Sequence, residues 1–108
     1  MTITTERMEK AITYLAETDQ TCADLRADME RAEFKAKAIR DALFMRLTGT
    51  VAERTAQAGA MAEYHEAMNR YFGFVSAYES VKNKRSTEAI VCECWRSVNS
   101  NRKQGIVA

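Results

Sequence analysis

The stretch Cys22-Ala-Asp-Leu25-Arg-Ala-Asp-Met29-Glu-Arg-Ala32-Glu-Phe-Lys-Ala36-Lys-Ala-Ile39-Arg-Asp-Ala-Leu43 decides the fold. Its numbered residues are apolar or small and recur at alternating steps of 4 and 3. That spacing draws one seam along an α-helix and predicts a coiled-coil-like partner for it. The residues between are mostly Ala, Glu, Arg, Lys and Asp, and all but Asp are efficient helix formers. Met8, Ile12 and Leu15 extend the seam towards the N-terminus, with a skipped position near Thr18 that predicts a local irregularity. The first long helix is therefore expected over about 4–47, at a length of about 65 Å.

Outward from the seam the chain breaks at Leu47-Thr-Gly-Thr50. Gly49 suits a left-handed helix cap, and Thr50 with Glu53 three residues on reads as a capping box. A short connector helix is expected within the break, about 48–59. Gly59 either bends or ends it. A second long helix follows over about 60–104. Ala67, Tyr71, Phe74, Tyr78 and Val81 form one stripe of it, and Met61, Tyr64, Met68, Phe72 and Val75 a neighbouring one. Val91, Trp95 and Val98 continue the pattern, and Gly105 stands where a C-cap glycine belongs.

Composition agrees. The 108 residues include no proline and four glycines, which favours long uninterrupted helices over loop-rich or all-β folds. Two long helices joined by a short break pack as an antiparallel hairpin. Charge supports that pairing. Residues 1–30 carry net −4, 31–56 net +3, 57–81 net −2 and 82–108 net +4. Folding back near 48–59 sets blocks of opposite sign against each other. Tyr14, Phe34, Phe44 and Met45 lie off the first seam. A lone hairpin leaves such residues uncovered, so the expected form is an all-α homo-oligomer, one hairpin domain per chain.

The three cysteines, Cys22, Cys92 and Cys94, have no framework spacing, and the charged opening Met1–Lys10 does not read as a signal peptide. A reducing, cytoplasmic setting with free thiols is expected. No apolar run reaches the roughly 18 residues of a membrane span, so no membrane partner is expected. Cys92-Glu-Cys94 lacks a second pair of ligands, and His65 beside Glu66 lacks a placed nucleophile or carboxylate pair. Neither a metal, a cofactor nor an enzymatic activity is expected.

Two basic groups are the candidate site. The first comprises Lys35, Lys37, Arg40 and Arg46, preceded by Arg31 and continued by Arg54 beyond the turn. It either focuses positive potential in an oligomer or pairs with Glu63 or Glu66 across the hairpin. The second comprises Lys82, Lys84, Arg85, Arg96, Arg102 and Lys103, with Asn99, Ser100 and Asn101 between its members. It either contacts phosphates along a nucleic-acid backbone or balances the acidic N-terminal third. Trp95 either packs inside or stacks on a base.

Lys35-Ala-Lys37-Ala-Ile-Arg40, Leu47-Thr-Gly-Thr-Val-Ala-Glu-Arg54, Tyr78-x-x-Val81-Lys82-x-Lys84-Arg85 and Cys94-Trp95-Arg96 carry a resemblance. The chain resembles small helical proteins of bacteriophage recombination loci, of which recombination mediators of the UvsY type are the characterised kind. The resemblance implies a helical, ring-like oligomer in the bacterial host cytoplasm. It implies binding of single-stranded DNA, with a recombinase and a single-strand-binding protein as partners. Lys37 and Arg40, with Lys35 as an alternative, match the basic pair near the end of that family's first long helix. Two other expectations compete. One is a protein-interaction module that captures a host factor through Tyr71, Phe72, Phe74 and Tyr78. The other is a structural coiled-coil component of a virion.

Overall fold

The computed structural model describes residues 2–103, and 92% of them are helical, with no strand among them. Three helices follow one another: α1 Thr5–Arg46, α2 Val51–Ala60 and α3 Ala62–Lys103. The two long helices pack against each other. The expected cap at Gly105 lies outside the described residues.

Local chemistry sets each helix end. Thr4 opens α1: its Oγ1 accepts from the Arg7 amide at 3.0 Å and its carbonyl from the Met8 amide at 3.1 Å. The last turn tightens through the Leu47 amide to the Phe44 carbonyl, and Gly49 then turns the chain with φ +117°. Thr50 caps α2, its hydroxyl accepting from the Glu53 amide at 3.1 Å. Gly59 does not end α2. The break falls at Met61, whose backbone is extended (φ −76°, ψ 144°). Met61 donates back to the Ala58 carbonyl and accepts from the His65 amide, so one residue closes α2 and opens α3.

The chain divides into two compact units. One is Met1–Cys22 with Glu79–Ala108. Inside it, Arg7 meets Glu88 and Asp19 meets Arg85, so residue numbers rise on α1 as they fall on α3: the two helix segments of this unit are antiparallel. The other is Ala23–Tyr78, where Arg46 at the end of α1 reaches Glu63 at the start of α3.

The 22–43 seam is the covered face of α1, with Ala32, Ala36 and Leu43 buried and the others half-buried. Its N-terminal continuation differs from the expectation. Ala11 is fully buried and Ile12 is 51% exposed. Met8, Ala11, Leu15, Thr18 and Cys22 step 3, 4, 3 and 4, so the repeat runs through Thr18 without a skip. On α3 the stripe from Ala67 to Val81 is likewise covered, but it continues through Arg85, Glu88, Cys92, Trp95 and Asn99. Val98 lies outside it, 44% exposed. Two charged residues thus occupy seam positions in α3.

The core is thin. Among the described residues, five of the seven buried hydrophobic ones are alanines, and Leu43 is the largest fully buried side chain. A buried alanine methyl contributes about 0.8 kcal/mol, against about 1.5–3 for a leucine. What alanine gives instead is close approach of the helix backbones.

Glycine substitutions separate the turn from the helices. A Cβ at Gly49 would stand 2.7 Å from Glu53 Oε2 at a positive φ, whereas one at Gly73 meets nothing. Gly49→Ala is expected to cost about 1–3 kcal/mol, and Gly73→Ala to stabilise by up to about 1 kcal/mol. Urea unfolding followed by circular dichroism reads both, and equal signs would contradict this assignment of the turn.

Candidate functional site

In the unit Ala23–Tyr78 the first basic group follows the outer sides of α1. Lys37 bonds Glu33 at 3.0 Å, Arg31 bonds Asp28 at 2.9 Å, and Arg40 lies 3.9 Å from Asp41. Arg46 reaches Glu63 at 3.5 Å, the cross-hairpin pairing weighed from sequence. Lys35 is exposed with no partner among the described residues. Arg54 is half-buried. Its guanidinium stacks 4.3 Å from the centroid of the Phe44 ring, and its Nε is buried without a hydrogen-bond partner. Arg54 thus fastens α2 to α1.

In the unit Met1–Cys22 with Glu79–Ala108 the second group divides more sharply. Arg85 stands at a seam position. Nη1 donates to the Leu15 carbonyl at 2.6 Å and to Thr18 Oγ1 at 2.7 Å, and Nη2 reaches Asp19 at 3.2 Å. Thr18 in turn donates to the Tyr14 carbonyl at 2.7 Å. One turn on, Glu88 is buried and accepts from Arg7 at 2.6 Å. This polar layer fixes the register of the two helices, since a slip would strand buried charges. Lys84 lies 4.5 Å over the Tyr14 ring. Lys82 is exposed and engaged within the chain. Arg96 bonds Glu93 at 2.6 Å, and Arg102 is exposed. The side chain of Lys103 lies outside the described residues.

No family model, no curated protein and no solved structure matches the chain. The site therefore stands on its own chemistry. Lys37, Arg40, Arg46 and Arg96 are held only in exposed ion pairs, each contributing about 0–1 kcal/mol. Such pairs exchange readily for a phosphate. Arg85 and Arg54 are held by several contacts at once and are structural. Composition cannot tell these two kinds of cation apart; the 3–4 repeat that runs through Arg85 was the available signal. Of the aromatic patch, only Phe72 is well exposed (56%), while Tyr71, Phe74 and Tyr78 lie on the covered face. Among the described residues no three His, Cys, Asp or Glu side chains gather as a metal site, and no helix is long and apolar enough to cross a membrane.

Paired substitutions test the division. Arg85→Ala is expected to lower stability by about 1–3 kcal/mol through its orphaned partners, and Lys35→Ala by less than about 0.5 kcal/mol. Chemical denaturation of the two variants checks this, and an Arg85→Ala protein as stable as the parent would remove the register role.

Proposed function

We propose that this protein is a non-enzymatic scaffold that assembles with further copies of itself and binds single-stranded DNA non-specifically, as an accessory to recombination or replication. One observation carries the reading: the helices close over alanines, leaving large apolar side chains and most of the basic groups outside. Phe34 and Met45 are 76% and 77% exposed.

The back of α3 supports self-association further. From Asn69 to Asn101, ten exposed positions at alternating steps of 4 and 3 carry no charge, among them Gly73, Ser76, Thr87 and Ile90. In a chain with 29% charged residues, such a face costs less to desolvate than the charged faces, provided its Asn, Ser and Thr groups find hydrogen-bond partners across the contact. Assembly would multiply the basic groups along one particle, and backbone phosphates would replace their surface carboxylate partners. Help in loading a recombinase onto strands coated by a single-strand-binding protein belongs to this reading, through the sequence resemblance.

A second reading is favoured by Phe34 and Met45 themselves. Eleven residues apart, they share one face of α1 and can anchor a different protein, such as a captured host factor.

Titration of labelled oligonucleotides at rising salt tests the proposal. If about four phosphates are neutralised per protomer, the log–log slope for single strands is expected near −3. Absence of binding at low salt would overturn the DNA reading and leave the protein-capture reading standing.

A further inference from the structure

One groove belongs to the unit Met1–Cys22 with Glu79–Ala108. It lies between Thr2 and Ile3, ahead of α1, and the last turns of α3, with a volume of about 280 Å³. That is close to the lower end of small-ligand sites. Its α3 wall is Cys94, Trp95, Val98, Asn99 and Arg102, the last four at the i, i+3, i+4, i+7 positions of one helix face. Among the described residues no Asp or Glu lines it. By contrast, the groove along the outer face of α1 in the same unit is lined by Glu6, Glu9 and Glu17 and repels phosphate.

The chemistry of the wall is specific. Trp95 is the chain's one tryptophan; it stands at a seam position, is half-buried and lines the groove. A ring fixed on one side loses little freedom when a flat partner stacks on the other. Asn99 carries both a donor and an acceptor for a base edge. Arg102, which also lines the groove, stands about 10 Å beyond Trp95 along the helix axis. It is exposed and has no partner among the described residues.

We propose that this groove is a subsite for one unstacked nucleobase of a single strand, with Trp95 as the stacking platform, Asn99 on the base edge and Arg102 on the adjoining phosphate. It rests on the single-stranded DNA reading and adds to it a place and a geometry. The other basic groups contact only backbone, whereas this groove distinguishes a strand with accessible bases from one without. A duplex, whose bases are already stacked, does not enter.

The lone tryptophan is its own reporter. Oligo(dT) is titrated into the full-length protein at low salt, with anisotropy of a labelled strand and Trp95 emission followed together. Saturable quenching with the same midpoint as the anisotropy is expected. An abasic oligonucleotide of equal length is expected to bind more weakly and leave the emission unchanged. Arg102→Glu, at an exposed position near the end of α3, is expected to weaken oligo(dT) binding with the fold intact by circular dichroism. Trp95→Leu, which keeps apolar bulk and removes the aromatic face, is expected to weaken it by about 5-fold or more, loss of a stacking platform being worth about 5–150-fold per base. Binding by anisotropy with unchanged Trp95 emission, or equal affinity for the abasic strand, would overturn the base subsite while the DNA reading survives. No anisotropy change with any strand would overturn both.

Discussion

The spacing of small residues along α1 is the constraint on which the rest depends. Alanine at Ala11, Ala32 and Ala36 lets a helix come close but covers little apolar area, and Leu43 alone supplies a large fully buried side chain. Close approach fixes how α1 meets its partner. The small area limits how much that meeting can stabilise. Both consequences follow from one choice of residue, and together they connect a thin core to the proposed assembly.

Alanine is also poor at specifying register, because one alanine fits beside another at several offsets. The polar layer supplies what the seam lacks. Arg85 reaches Leu15, Thr18 and Asp19, and Glu88 takes Arg7, so a shift by one turn would leave charges covered and unpaired. The two ion pairs also run in opposite senses. Asp19–Arg85 follows the block charges of the chain, acidic N-terminal third against basic C-terminal third. Arg7–Glu88 reverses them. The blocks bring the helices together with the right polarity, and the reversed pair selects one offset.

Much of the fold was legible in the sequence because its signals are local. The seam from Leu25 to Leu43, the turn at Gly49 and the cap Thr50–Glu53 each follow from spacing or from a residue's own backbone preference. What escaped depends on the partner helix. Ile12 outranks Ala11 on any scale of hydrophobicity, yet close packing wants the smaller side chain at that position. Arg85 and Glu88 read as surface charges because each finds its counter-group only in the far helix. The break at Met61 carries no glycine or proline, and Gly59, which does mark a weak point, stays helical. The candidate cations were all found from composition. Which are held by several contacts and which by a single exposed carboxylate depends on helix faces and pairing that composition does not carry.

The proposed assembly is the claim that joins the thin core to everything outside it. Thermal unfolding over a hundredfold range of protein concentration tests it most directly. A midpoint that climbs with concentration is expected, because dissociation accompanies unfolding when the copies share a core. A midpoint independent of concentration, with a particle mass of 12.2 kDa by light scattering, would show that alanines and a polar layer hold the single chain unaided, and would contradict the account.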